Sequence, residues 1–453
     1  MMRRFSLAEL QEPLNATLVG ADLTFSAVSS DSRTLMGGEL FVALVGEQFD
    51  GHNYAKAAAE KGAAALLLSR KVDTELPYLL VDDTLQALGK LGAFNRDLFT
   101  GKVVGITGSA GKTTTKNLVA SVLSQAGGVH ATAGNFNNEI GVPLTLLGLE
   151  PSAAHAVIEM GAAGAGDIAY LRDLVKPQVV ILLNAMPAHL QGFGSIAGVA
   201  AAKGEILDNL SPEHTAILPS DSPYTAPWSF RAKPAQVLHF GFEEKADVWA
   251  SNVVESGVYG STFDLHYQDH CGRVSLQLHG LHNIKNALAA AAVGFACGLS
   301  FAQIVAGLES LTPHRGRLMP MQTPSGACVI DDSYNANPAS VNAAIDLLAR
   351  IEGRRHLLLG AMAELGGDAR RLHAEVGAYA ASRGIDQLWA VGHDALPAVS
   401  AFGDRGRHFE SMDSLLDALA KQLPGTGETV LVKGSRSAGM ERAVAVLTQK
   451  GGC

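Results

Sequence analysis

The 453-residue sequence predicts an α/β protein of three domains. Aliphatic runs alternate with helix-spaced segments over most of the chain, the pattern of βαβ units. Runs such as "KVVGIT", "VVILLNA" and "HLLLGAM" are apolar throughout, as strands covered on both faces of a parallel sheet are. Changes of texture place the domains at 1–83, 84–313 and 314–453.

The first domain has short elements. "ELFVALVG" is a strand, "YAKAAAEKGA" a helix, and "AALLLS" and "YLLVDD" are strands. In the second, the helix "TLQALGKLGAFNRDLF" leads into "KVVGIT", and "AVIEM" and "VVILLNA" follow as strands and "AGVAAAKGEILDNL" as a helix. The alternating stretch "ASNVVESGVYGSTFDLHYQ" predicts a small antiparallel region, and "NIKNALAAAAVGFACG" a buried helix. "TPHRGRL" reads as a linker. Beyond it "ACVIDDS", "HLLLGAM", "QLWAVG" and "ETVLVKGS" are strands separated by helices, as in a doubly wound, Rossmann-like domain.

Bulk properties narrow the function. Apolar residues make up 47% and charged ones 17%, ordinary for a folded chain. A formal charge of -9 speaks against nucleic acid as a partner. No apolar run reaches the ~18 residues of a membrane span, and the start lacks the apolar core of a signal peptide. Cys271, Cys297, Cys328 and Cys453 are scattered, which fits a reducing, cytoplasmic setting. A monomer is the expected state.

"VVGITGSAGKTTTK" carries the first chemistry. A strand running into glycines and then a helix gathers backbone N–H groups at the positive helix end, a generic anion site. The spelling departs from G-x-x-x-x-G-K-[ST]: Gly105 lies six positions before Gly111, and Ile106 stands where the first glycine is expected. Gly108, Ser109, Ala110, Gly111, Lys112, Thr113 and Thr114 still occur in working order, so a nucleotide site, and a P-loop type of central domain, outweighs a plain glycine-rich turn. Lys112 offers charge to terminal phosphates and Thr113 a hydroxyl to Mg²⁺.

Other candidates are ambiguous alone. Glu159 ends a strand and is by itself more readily a loop-capping acid. Asn184 and His189 follow the next strand, where a single histidine before a glycine turn is more often structural. Lys203 would by default be a solvated lysine. Asn283 and Asn286 share a helix face and suit an adenine edge as well as they suit a helix cap. Arg315 and Arg317 sit in the linker, and Asp331-Asp332 and Lys433, Ser435 and Arg436 at strand ends, where surface turns are the plain alternative.

"TGSAGKTTT" resembles the phosphate loop of the Mur ligase family, roughly T-G-[ST]-x-G-K-[TS], and further segments agree. "AHLQGFGS" and "AAAKGEI" resemble the family's A-H-L-x-x-F-G-S and A-K-x-E-I, and "GLHNIKNALAA" its G-x-H-N-x-x-N-A-L-A-A. The resemblance implies ATP as cosubstrate, two Mg²⁺ ions, and metal ligation by Thr113, Glu159, His189 and Lys203. In the family this lysine is often carbamylated by CO₂, which turns a cation into a carboxylate. The resemblance also implies catalytic roles for Lys112, Lys203, His189 and Arg317, and ATP contacts by Asn283, Arg317 and Asp332.

"SSDSRTLMGGELFVALVGEQFDGH" resembles the uridine-diphosphate-binding domain of the later-acting members. It implies UDP-substrate contacts by Ser30, Asp31, Ser32, Arg33, Gly46, Asp50, His52 and, in "GNFNNEIG", Asn138. Folylpolyglutamate synthetases share the ATP machinery but lack such a domain. "DDSYNANP" resembles the branch that joins D-alanyl-D-alanine to UDP-N-acetylmuramoyl-tripeptide, with Asn335, Asn337, Lys433, Ser435 and Arg436 at the amine. "TPHRGRL" is then the expected hinge for closure that excludes water. "GAMAELG" departs from the family's G-D-M-x-E-L-G: Ala361 stands where an aspartate is usual, although Glu364 remains.

Overall fold

The computed structural model describes residues 2–46, 49–187, 190–255, 260–312, 315–363 and 365–449. His189 and Glu364 lie outside the described residues. The chain forms two compact units. One comprises Met1–Asn252, Phe263–Val274 and His282–Leu311; the other comprises Val253–Thr262, Ser275–Leu281 and Thr312–Cys453. Among the described residues no helix is long and apolar enough to cross a membrane.

The first unit begins with a five-stranded sheet. Val28–Ser29, Leu40–Val42, Ala65–Leu68 and Tyr78–Leu80 run parallel, and Thr17–Val19 closes one edge antiparallel. Alternation along a strand sends successive side chains to opposite faces. Leu40 and Val42 thus pack with Phe5, Leu10 and Leu79, while Phe41 and Ala43 pack with Ala55 and Ala58. The helix Thr84–Asp97 starts where the Asp83 carboxylate accepts from the N–H groups of Leu85 and Gln86. Its Leu88 and Leu91 join the first of these cores.

A nine-stranded sheet follows. Lys102–Thr107 lies between His155–Glu159 and Val179–Leu182, all parallel, with Val129–Ala131, Thr215–Pro219 and Gln236–Gly241 continuing the parallel order. This order puts the carboxyl ends of Lys102–Thr107, His155–Glu159 and Val179–Leu182 side by side, where open α/β sheets hold ligands. The expected small β region is present as Val248–Glu255, Ser261–Tyr267 and His270–Leu276. The last two are joined by Gln268 and Asp269, too short a link for parallel strands.

The second unit is built on a six-stranded sheet, ordered Met319–Gln322, Cys328–Asp332, Glu428–Lys433, Arg354–Gly360, Gln387–Val391, Gly406–Phe409. All are parallel except the antiparallel edge strand Met319–Gln322. Ile330, Leu357, Leu359 and Leu431 face one core; Val329, Leu358, Val430 and Val432 face the other. Helices on both faces complete the doubly wound arrangement.

Candidate functional site

The phosphate loop joins the strand Lys102–Thr107 to the helix Lys112–Leu123. Gly111 has φ +82, a left-handed conformation that a β-carbon disfavours, and a Cβ there would lie 2.7 Å from Asn286 Oδ1. Lys112 Nζ donates to the Gly108 carbonyl at 2.9 Å, folding the ammonium over the loop. Asn184, just past the neighbouring strand, clamps the loop reciprocally. Its Oδ1 accepts from Ala110 N–H at 3.0 Å and its Nδ2 donates to Ala110 O at 3.1 Å. Ser109 Oγ donates to Met186 O at 3.2 Å. Thr113 and Thr114 stand half-buried in the first helical turn.

Glu159 ends its strand at that same edge and is 2% exposed. Its Oε1 accepts from Asn137 Nδ2 at 2.8 Å, whereas its Oε2 is buried with no hydrogen-bond partner among the described residues. A buried carboxylate oxygen without a donor is costly in isolation and is the atom a divalent cation would satisfy. Lys203 closes the helix Ile196–Lys203 and is 3% exposed. Its Nζ makes a long contact of 3.5 Å to Ala162 O and lies over the Phe193 ring. Burial, aided by the charge of Lys112, lowers its pKa to about 8. The solvated lysine that the sequence allows is therefore not what is observed.

Asn283 and Asn286 are both buried on the helix Leu281–Ala296, with Asn286 Nδ2 donating to Asn283 Oδ1 at 3.2 Å. Asn286 thereby links this pair to the turn at Gly111. The phosphate loop, Asn184, Glu159, Lys203 and the asparagine pair all belong to the first unit.

The residues expected at a uridine diphosphate are largely engaged with one another. Exposed Arg33 grips Asp31 through Nε–Oδ1 at 2.9 Å and Nη2–Oδ2 at 2.8 Å, and this pairing holds the Asp31 carboxyl at about 2. Asp50 accepts from Arg70 and from the His52 backbone, which hold its carboxyl well below the usual range. His52 is buried. Its Nε2 accepts from Ser69 N–H at 2.9 Å, so Nδ1 carries the proton and donates to Asp50 Oδ1 at 2.6 Å. His52 is thus an internal strut. Gly46 leaves room for the exposed Phe49 ring, which would be 2.8 Å from a Cβ there. Ser30 and Ser32 are half-buried in the loop after Val28–Ser29. Asn138 Oδ1 accepts from Gly141 N–H at 2.9 Å, at the start of the helix Gly141–Leu147.

In the second unit the candidates gather at the carboxyl edge of the six-stranded sheet. Lys433 Nζ donates to Asp332 Oδ2 at 2.6 Å and to Asn335 O at 2.9 Å, tying two adjacent strand ends. Burial pushes the Asp332 carboxyl up against the opposing pull of Lys433. Ser435 Oγ donates to Ala361 O at 2.6 Å, so the residue that departs from the family spelling uses its backbone to hold the neighbouring loop. Asn337 caps the helix Pro338–Ala349 by accepting from Ser340 N–H at 2.8 Å. Asn335 is exposed, and Arg436 pairs loosely with Glu441 at 3.5 Å. The Arg317 guanidinium lies 4.4 Å from the centre of the Tyr334 ring.

Asn137, which fixes Glu159, escaped the sequence reading. An asparagine cluster between two strands was its only signal.

Family models match along the chain: the Mur ligase family catalytic domain at residues 24–96, the Mur ligase middle domain at 106–294, and the Mur ligase glutamate ligase domain at 316–436. The UDP-N-acetylmuramoyl-tripeptide–D-alanyl-D-alanine ligase of Escherichia coli (strain K12) is 43% identical over 99% of each chain. A crystal structure of MurF from Acinetobacter baumannii is similar at 34% identity and a TM-score of 0.90, covering 99% of this chain and 100% of that one. The MurF ligase of Thermotoga maritima in complex with ADP is similar at 28% identity and a TM-score of 0.80, covering 93% and 96%. On family models spanning most of the sequence and relatives matching it end to end, the chain belongs to the Mur ligase family.

Proposed function

We propose that this chain uses ATP to join D-alanyl-D-alanine to UDP-N-acetylmuramoyl-tripeptide, forming the pentapeptide precursor of peptidoglycan. The similarity to the Escherichia coli ligase over 99% of both chains carries the reading. The phosphate loop with Lys112, Asn184 and the Asn283–Asn286 pair supports ATP as the phosphoryl donor. In this reading the chain is a cytoplasmic monomer with domains at 1–83, 84–313 and 314–453.

Lys112 and the loop N–H groups hold the β- and γ-phosphates, Asn283 the adenine, and Asp332 the ribose. The donor set also fits Mg²⁺, because Glu159 Oε2 is buried without a partner among the described residues. Thr113, Glu159, His189 and a carbamate on Lys203 would hold the metal, which supplies positive charge to the phosphate oxygens. CO₂ adds only to a neutral amine, and the lowered pKa of Lys203 supplies one. The tripeptide carboxylate attacks the γ-phosphorus as the bond to the bridging oxygen breaks, giving ADP and an acyl phosphate. Lys112 and Arg317 offset the charge on the transferred group. The dipeptide amine then attacks the acyl carbon, phosphate leaves, and the amine loses its proton.

Ser30, Asp31, Ser32, Arg33, Gly46, Asp50 and Asn138 form the uridine diphosphate end, which His52 braces from inside, with Arg33 exchanging Asp31 for pyrophosphate. Asn335 and Arg436 contact the amine substrate, while Lys433, Ser435 and Asn337 hold the edge that presents it. The test is to incubate the protein with ATP, UDP-N-acetylmuramoyl-tripeptide and D-alanyl-D-alanine. The expected product is the pentapeptide by mass, with one phosphate released per bond. Phosphate release indifferent to the dipeptide, with no pentapeptide, would sink the proposal.

A further inference from the structure

The helix after the phosphate loop carries a second lysine one turn beyond the first. Lys112 and Lys116 are four residues apart and so share one side of the helix Lys112–Leu123. Lys112 folds back over the loop. Lys116 instead is 4% exposed, and its Nζ donates to Thr132 O at 2.6 Å. A buried ammonium is expensive, and the phosphate chemistry described above does not employ it.

Thr132 lies one residue beyond the strand Val129–Ala131 and is held through each of its polar groups. Its N–H donates to Val157 O at 3.0 Å, its Oγ1 accepts from Glu159 N–H at 2.9 Å, and its carbonyl accepts from Lys116. Glu159 is fixed at both ends, by Thr132 at the backbone and by Asn137 at Oε1. Its other carboxylate oxygen, Oε2, is buried and without a partner among the described residues. A chain of hydrogen bonds therefore runs from Lys116 through Thr132 to the residue whose carboxylate is suited to a cation.

We infer that Lys116 is a positioning residue that sets the Glu159 carboxylate for a divalent cation. The inference rests on the metal reading under Proposed function. It adds that one helix presents both the phosphate-binding ammonium and, through Thr132, the metal-binding carboxylate. Groups that orient a metal ligand typically change metal affinity about 10–100-fold when removed. Lys116→Met keeps the length of the side chain but strips the donor from Thr132 O, and Thr132→Val strips the acceptor from Glu159 N–H.

Mn²⁺ is the probe, titrated into the full-length protein at saturating ADP and followed by electron paramagnetic resonance, with urea unfolding run in parallel. Lys116→Met and Thr132→Val are expected to weaken Mn²⁺ binding about 10–100-fold, and Lys116→Arg, which keeps charge and donors, less than Lys116→Met. A merely structural lysine would move the urea midpoint and leave the Mn²⁺ affinity of the folded protein unchanged, which would overturn the inference. Should Lys116→Met fail to fold, parental Mn²⁺ affinity in Thr132→Val overturns it equally. Glu159→Gln separates the two ideas. Parental affinity in that variant removes the metal reading and this inference with it. Weakened affinity there, alongside parental affinity in Lys116→Met and Thr132→Val, removes this inference alone.

Discussion

Limiting bicarbonate across a pH series probes Lys203 directly. An ordinary lysine with pKa 10.5 is about 0.1% neutral near pH 7.5; with the value lowered to about 8, roughly a quarter is neutral. Burial therefore raises the amine able to take up CO₂ roughly 200-fold. The sign is set by the lowered pKa: the protonated form is disfavoured in the fold. Adduct formation should accordingly rise through about pH 8 and level off above it. Protein free of the adduct should also gain stability as the pH climbs from about 8 towards 10.5, because the unfolded chain binds the extra proton in that window. Carbon-13-labelled bicarbonate makes a carbamate visible by NMR, and Lys203→Met supplies the blank. Ligase turnover in bicarbonate-depleted buffer should fall and return on adding bicarbonate. If no carbamate carbon distinguishes the parent from Lys203→Met, and depletion leaves turnover unchanged, burial does not prime Lys203 for carbamylation.

Other positions give sharper structural readouts. Lys433→Met leaves the Asp332 carboxylate buried without its counter-ion and should cost about 3–5 kcal/mol in urea unfolding, part of it recovered by adding Asp332→Asn. A loss below about 1 kcal/mol would mean the pair is solvated. Gly111→Ala places a Cβ in a left-handed residue and against Asn286, so about 1–2 kcal/mol of strain should weaken ATP binding by calorimetry roughly 5–30-fold. Unchanged ATP affinity would detach Asn286 from the nucleotide site. Asn337→Ala removes a helix cap and should lower stability by about 1 kcal/mol in the same unfolding assay. The Michaelis constant for D-alanyl-D-alanine in that variant tells whether Asn337 also meets the substrate.

What was legible from the sequence follows the range of the interactions. The turn from Thr107 through Gly111 into the helix at Lys112 is local, so glycines, a lysine and flanking periodicity suffice to read it. Glu159 at a strand's carboxyl end was likewise readable from a short apolar run. What a polar side chain touches is another matter. His52 looks like the lip of a ligand site, yet its ring joins Asp50 to Ser69, seventeen residues on. Lys433 looks like an open clamp but is engaged by Asp332, 101 residues away. Such pairings depend on which strands become neighbours, and no spacing within one segment encodes that. The role of Thr132 was hidden for the same reason, since its partners come from the helix at Lys116 and the strand ending at Glu159.

The strand order of the second unit bears on how the protein is made. Glu428–Lys433, the last strand in chain order, lies between Cys328–Asp332 and Arg354–Gly360. During synthesis the first two strand groups must therefore wait with unpaired inner edges until the final strand emerges from the ribosome. Open edges of apolar strands are sites for pairing with other chains. The growing chain would be most exposed to misassembly while Glu428–Lys433 is still unavailable, so a stall that holds this strand back should favour aggregation.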